Sequence, residues 1–212
     1  MTSQAMRPHG AVGRVFGLLM SLINAPAFAF AERELAPLAG DAILEVGFGT
    51  GRLVRRLAAK ARFVGGVDPS PLMLETAQAA NAAAVATGQV ELRLGEAGAL
   101  PWPDQTFDKA CALHSFQFWP DPAAGLAEVA RVLKPDGLLL MMLRAHADGR
   151  AGVADLPNAL SRSGDELGAT LALLTSLGWR DVVAGESLGR TAILTARRQR
   201  VRSGGGVEVR QR

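Results

Sequence analysis

Three glycines at alternate positions, Gly47, Gly49 and Gly51, follow directly on the run Ala42-Ile43-Leu44-Glu45-Val46. The run is apolar at four of its five positions, as a strand buried on both faces of a parallel sheet requires. Only glycine adopts positive φ without steric cost, so three of them in five residues dictate a tight loop with the backbone open to close approach. Leu53, Val54, Leu57 and Ala58 then fall at helical spacing, so a helix begins where the glycines end. Strand, glycine loop and helix N-terminus together form a site for the anionic end of a ligand.

A glycine loop also serves plain packing, so the next segment matters. Phe63 to Val67 reads as a second strand, and it ends in Asp68, 21 positions beyond Gly47. An acid at that strand tip is where a βαβ unit binds ribose hydroxyls. A dinucleotide fingerprint, G-x-G-x-x-G, would place its third glycine at position 52, where this chain has Arg52.

Beyond Asp68 the chain keeps alternating strands with helices. Ser70-Pro71 supplies an N-cap and a first-turn proline for a helix read through the alanine-rich stretch to about Thr87. Val90, Leu92 and Leu94 mark a third strand, ending at Gly95-Glu96-Ala97, and Phe107–His114 a fourth. A helix with Leu126, Val129 and Leu133 on one face is expected to stop at Pro135-Asp136-Gly137, before a fifth strand over Leu138–Leu143. Residues 144–162 form a connection too long to be a simple loop. Ser163-x-x-Glu166 reads as a capping box, and Trp179–Gly185 and Thr191–Ala196 as a closing hairpin that turns near Gly189.

Taken together, Glu45-x-Gly47-x-Gly49-x-Gly51, the Gly95-Glu96-Ala97 turn, the LPWPDQTFD segment and the ARVLKPDGLLL segment resemble the motifs of the class I S-adenosylmethionine-dependent methyltransferases. The small-molecule type that includes the ubiquinone/menaquinone methyltransferases is the subgroup it is most similar to, over residues 40–196. The resemblance implies an α/β, Rossmann-like, seven-stranded sheet of order 3-2-1-4-5-7-6, strand 7 antiparallel, with helices on both faces. It divides the chain into an N-terminal helical lid (1–39), a methyltransferase domain (40–198) and a flexible basic tail (199–212). It implies S-adenosyl-L-methionine as cofactor, with Gly47, Gly49 and Gly51 at its methionine end and Glu45 beneath them. Asp68 would accept from the ribose hydroxyls and Pro69 and Met73 would pack on the adenine. Glu96, beside Ala97, would stand in for the usual aspartate at the adenine amino group.

Charge agrees with that cofactor. A sulfonium is a cation without a pyrophosphate, and a site holding Glu45, Asp68 and Glu96 would repel a dinucleotide. Methyl transfer needs a general base only when the acceptor must lose a proton. His114, at the mouth of the fourth strand, and His146, past the fifth, are the candidates. No metal is implied, and Cys111 lies mid-strand as a core residue. Strand four lacks an Asn/Asp-Pro-Pro-aromatic motif, which argues against methylation of nucleic-acid bases. Phe116, Phe118 and Trp119 point to an apolar small-molecule acceptor, or else pack the N-terminal helices.

The formal net charge is +3, but residues 197–212 hold six arginines against Glu208 and carry +5, which leaves −2 on residues 1–196. The basic character therefore belongs to the tail and gives no support for a nucleic-acid surface on the fold. A single cysteine fits a reducing, cytoplasmic setting. Arg7 and Arg14 ahead of VFGLLMSLINAPAFAFA imitate a signal peptide, with Ala27, Ala29 and Ala31 at a cleavage site. Two short amphipathic helices broken at Pro26 are the competing reading, and the one the resemblance favours. The segment is too interrupted to span a bilayer; peripheral membrane contact and the oligomeric state stay open. A non-catalytic cofactor-binding or interaction module and an NAD-dependent oxidoreductase remain as alternative functions.

Overall fold

The computed structural model describes residues 23–144, 164–188 and 191–199. Seven strands form one sheet in the order β3-β2-β1-β4-β5-β7-β6. They are β1 (Ala42–Val46), β2 (Phe63–Asp68), β3 (Val90–Leu94), β4 (Phe107–Leu113), β5 (Leu133–Arg144), β6 (Arg180–Leu188) and β7 (Thr191–Arg197). β1 to β5 pair in parallel, and β7 runs antiparallel to both β5 and β6. The expected order and the reversed seventh strand are both present.

β1 lies inside the sheet, between β2 and β4, and every one of its five residues is buried. Its alternation divides the core. Ala42, Leu44 and Val46 face a cluster with Trp102, Phe107 and Leu126, beneath helices α5 (Pro122–Val132) and α6 (Gly164–Ser176). Ile43 faces the opposite cluster, with Leu53, Leu57, Ala77 and Leu140, beneath α1 (Ala25–Leu35), α2 (Arg52–Ala58) and α3 (Pro71–Ala80). Each such buried aliphatic side chain contributes about 1.5–3 kcal/mol relative to exposure.

β2 carries two adjacent glycines for a packing reason. A Cβ on Gly65 would lie 2.7 Å from the Phe107 ring, and one on Gly66 would lie 2.8 Å from the Phe48 ring. The strand thus admits an aromatic ring against each face. Phe107 in turn meets Trp102 edge-on, with centroids 5.3 Å apart.

Three sequence expectations need correction. The helix after Ser70 does not run unbroken to Thr87; it ends at Ala80, and a separate turn, α4 (Ala82–Ala86), follows Asn81. Asparagine competes with the helix ladder through its own side chain, and Asn81 does so here. The Pro135-Asp136-Gly137 segment lies inside β5, not ahead of it. There the pairing with β4 jumps from Phe107↔Leu133 to Lys109↔Leu138, and Asp136 takes φ +62° to turn the extra residues out. Pro26 stands in the first turn of α1, just past a turn at Asn24, as a helix boundary there requires, and Ala27, Ala31 and Leu35 of α1 are buried in the core. Two of the residues of the supposed cleavage site are therefore packed inside the fold. Phe116 and Trp119 pack edge-on with each other in the α5–α6 cluster, on the face of the sheet away from α1. The expectations for residues 1–22, for the connection over 145–163 and for the tail beyond residue 199 fall outside the described residues. Among the described residues no helix is long and apolar enough to cross a membrane.

Candidate functional site

The glycine loop lies at the carboxyl end of β1, between the tips of β2 and β4, where an open α/β sheet leaves a crevice. Gly47, Gly49 and Gly51 have φ of +83°, +52° and +73°. Gly47 is crowded: a Cβ there would come within 2.3 Å of the Ser115 Cβ. Ser115 also donates its hydroxyl to the Val46 carbonyl at 2.5 Å, so the tip of β4 is tied to the start of the loop. A Cβ on Gly51 would likewise lie 2.7 Å from the Ala77 Cβ and 2.7 Å from Nδ2 of Asn81, at the end of α3. A Cβ on Gly49, by contrast, would meet nothing within 4 Å.

All three glycine amides are used within the protein. Gly47 N–H donates to the Val67 carbonyl at 2.7 Å and Gly51 N–H to the Phe48 carbonyl at 2.9 Å. Gly49 N–H donates to Oδ2 of Asp68 at 2.9 Å. A pyrophosphate-binding loop needs such amides free and pointing at the ligand. This loop has turned its three glycine donors inward.

Asp68 caps both neighbours of its strand tip. Its Oδ1 accepts from Ser70 N–H at 2.9 Å, and Ser70 in turn caps α3 by accepting from Met73 N–H. The carboxylate is 7% exposed. Burial raises its pKa above the ordinary aspartate value, and the Ser70 and Gly49 amides offset part of that rise. Glu45 is buried more deeply, on the α2 face of β1. Burial, then the nearby Asp68 charge, push its pKa well above the ordinary glutamate value, against a hydrogen bond from the Val54 amide. Its Oε2 is buried with no hydrogen-bond partner among the described residues. Cys111 lies opposite Glu45 on β4, and burial, helped by Glu45, raises its thiol pKa well above the ordinary value. It is a core thiol, as expected.

Glu96 reaches the same rim. Asp68 pairs with Leu94 in the sheet, and Gly95 N–H donates to the Asp68 carbonyl at 3.1 Å, which sets Glu96 two residues beyond, exposed on the turn. The loop that follows is held from α5. Glu128 accepts from Leu100 N–H, while Arg131 donates to the carbonyls of Leu100 and Trp102 and to Asp104. Ala97 and Met73 are core side chains, 3% and 4% exposed, so any contact from Ala97 would be through its backbone. Pro69 is half-buried beside Asp68 and is the one of the Pro69–Met73 pair with surface to offer.

His114 stands at the end of β4 in a left-handed conformation, φ +54°. Its N–H donates to the Met142 carbonyl at 2.8 Å and its carbonyl accepts from Nε2 of Gln117 at 2.8 Å. His146 lies outside the described residues. The structure brings Glu45, the three glycines, Asp68, Glu96 and His114 to the same end of the sheet. Sequence reasoning missed Ser115 and Asn81. Asn81 left a signal, a lone asparagine in an alanine-rich run, but Ser115 left none.

A family model described as a methyltransferase domain matches residues 44–141. An uncharacterized methyltransferase of Mycobacterium tuberculosis is 35% identical over 131 residues, 62% of this chain and 51% of that protein. The uncharacterized methyltransferase YdaC of Bacillus subtilis is 30% identical over 125 residues, 58% of this chain and 67% of that protein. The demethylmenaquinone methyltransferase of Corynebacterium kroppenstedtii is 30% identical over 140 residues, 64% of this chain and 58% of that protein. In fold, a crystal structure of a SAM-dependent methyltransferase from Aquifex aeolicus superposes with a TM-score of 0.70 at 21% identity, covering 86% of this chain and 98% of that one.

The fold and the rim of acids and glycines define a class I, Rossmann-like methyltransferase domain. This chain belongs to the methyltransferase family. It spans about half the length of the Mycobacterium relative it matches.

Proposed function

We propose that this chain binds S-adenosyl-L-methionine and uses it to methylate a small, apolar acceptor. The observation that carries the reading is the bond from Gly49 N–H to Asp68. It joins the acid at the β2 tip to a loop whose three glycine amides are already spent, leaving a rim that is acidic and not donor-rich. Such a rim suits a cationic sulfonium and opposes a pyrophosphate, which also counts against the oxidoreductase alternative. The unpartnered Oε2 of Glu45 and the open space over Gly49 fit a bound group at this end of the sheet.

S-adenosylmethionine supplies a methyl carbon already activated for displacement. The chain's part is to bind and to orient. Asp68 would hold the ribose hydroxyls through the lone pairs that its two backbone bonds leave over. Glu45 would offer a carboxyl oxygen below the loop, and Pro69 and Glu96 would flank the adenine side. Where the acceptor must release a proton, His114, at the end of β4, would be the residue to take it. Holding the acceptor in line accounts for much of the rate, since positioning alone is worth up to about 7–11 kcal/mol of barrier. The apolar character of the acceptor is supported by the half-buried Phe118 in the turn that follows β4 and by the resemblance to quinone methyltransferases. A reducing, cytoplasmic setting is consistent with a core cysteine and with this cofactor.

Calorimetry with S-adenosylhomocysteine and with NADH, followed by a metabolite screen with methyl-labelled cofactor, tests the reading. Binding of S-adenosylhomocysteine alone and a labelled small product are expected. Binding without any labelled product would favour a non-catalytic module, and NADH binding would overturn the proposal.

A further inference from the structure

Asn81 is 4% exposed, one of few polar side chains buried so deeply among the described residues. Its Nδ2 donates twice, to the Ala77 carbonyl at 2.8 Å and to the Gly51 carbonyl at 3.1 Å. Its Oδ1 is buried without a hydrogen-bond partner. A buried, unsatisfied amide oxygen costs free energy that an aliphatic side chain of the same size would not incur. Alanine-rich surroundings would have continued the helix; instead the chain leaves helical geometry at Asn81, with φ −119° and ψ 20°. Both costs are incurred at the point where α3 touches the glycine loop.

The Gly51 carbonyl is the last of that loop and the first of α2. It accepts from Arg55 N–H at 3.1 Å along the helix and from Asn81 across it. The peptide plane that joins Gly51 to α2 is thereby fixed from two directions. At its other end α3 is fixed to the same loop: Ser70, its N-cap, bonds Asp68, and Asp68 bonds Gly49. Helix α3 therefore braces the loop at both ends, through Asp68 at its start and Asn81 at its finish. Gly51 lacks a Cβ because Ala77 and the Asn81 amide occupy that space.

We infer that Asn81 is a positioning residue for the cofactor. It holds the Gly51 peptide, and with it the curvature of the Gly47–Gly51 loop, in the form that accepts the methionine end of S-adenosylmethionine, and it touches no ligand itself. The inference rests on the proposed cofactor.

Asn81→Leu and Asn81→Ala separate bracing from filling. Leucine keeps the volume, removes the unsatisfied oxygen and loses the bond to Gly51; alanine loses both volume and bond. The unsubstituted protein is titrated first with S-adenosylhomocysteine; failure there would overturn the cofactor assignment and this inference with it, whereas a failure confined to the variants overturns this inference alone. Given that binding, Asn81→Leu is expected to melt within a few degrees of the parent yet bind S-adenosylhomocysteine about tenfold more weakly, the factor carried by one hydrogen bond. Asn81→Ala is expected to lose both stability and affinity. Amide exchange at Arg52–Arg55 of the unsubstituted protein, with and without S-adenosylhomocysteine, reads the same brace without a substitution. Slowed exchange on binding is expected. A leucine variant of unchanged affinity, or exchange there that ignores the ligand, would overturn the inference.

Discussion

The Gly49 amide donates to Oδ2 of Asp68 at 2.9 Å, so the acid at the tip of the second strand and the middle of the glycine loop are one unit. The shape of the loop is therefore tied to the carboxylate that we propose receives the ribose hydroxyls. Its two oxygens each carry one backbone bond, which leaves further acceptor capacity on the carboxylate.

Asp68→Ala removes the acceptor and the loop's tether together. Hydrogen bonds to a charged group are worth about 1.5–3 kcal/mol, so affinity for S-adenosylhomocysteine should fall by about tenfold or more in a protein that still folds. Calorimetry checks this, and an unchanged affinity would remove Asp68 from the ribose site.

Acidification should separate binding from folding. For Asp68 and Glu45, whose pKa values are raised in the folded chain, the folded state takes up the proton before the unfolded one does. Their ionisation costs stability as pH rises through the interval above the ordinary carboxylate value, and acidification through that interval recovers it. Glu32, held down foremost by Lys60, and Glu128, held down foremost by Arg131, have the opposite sign. Their contribution is present above the ordinary glutamate value and is lost as pH falls through their lowered pKa. Lowering the pH from neutrality should thus weaken S-adenosylhomocysteine binding before the melting temperature drops. Paired titrations of affinity and melting temperature check the order; simultaneous loss would contradict it.

Gly47 and Gly49 should respond differently to alanine. Both sit at positive φ, which costs an L-residue about 1–2 kcal/mol. At Gly49 that is the whole structural cost, since a Cβ there meets nothing, and a fall of roughly 2–8 °C in melting temperature is expected. Gly47→Ala adds a collision with Ser115 and should destabilise clearly more. Thermal melts of the two variants decide it.

Truncation should divide the first 39 residues into two parts. We propose that, within the N-terminal lid segment (1–39), the residues ahead of α1 cover an apolar acceptor. Removing them should depress methyl transfer while leaving S-adenosylhomocysteine affinity nearly unchanged. Extending the deletion through Leu35 removes Ala31 and Leu35 from the core and should abolish cooperative melting. Full turnover by the shorter deletion would sink the lid.

The sequence carried the sheet because its signals are local and repeated. Ala42–Val46, Val90–Leu94 and the glycine spacing each state their own structure through periodicity or through what only glycine can do. Asp68 was legible for the same reason, as an acid at a strand end at fixed distance from the loop. What escaped was decided by contacts between distant segments. The break at Asn81 depends on a carbonyl 30 positions away, and Ser115 matters only because β4 lies beside β1. The inward-turned glycine amides were illegible too, since spacing fixes φ but not where an N–H points.

The paired glycines of β2 have a consequence for where Asp68 can be. With rings seated on both sides of Gly65 and Gly66, the strand is clasped like a shim between Phe107 and Phe48, and neither tilt nor slippage leaves those rings in place. Asp68 stands only two and three residues further along. Its address on the rim is written by missing atoms below it, so alteration of the aromatic rings or of the bare backbone between them would relocate the acid without touching it.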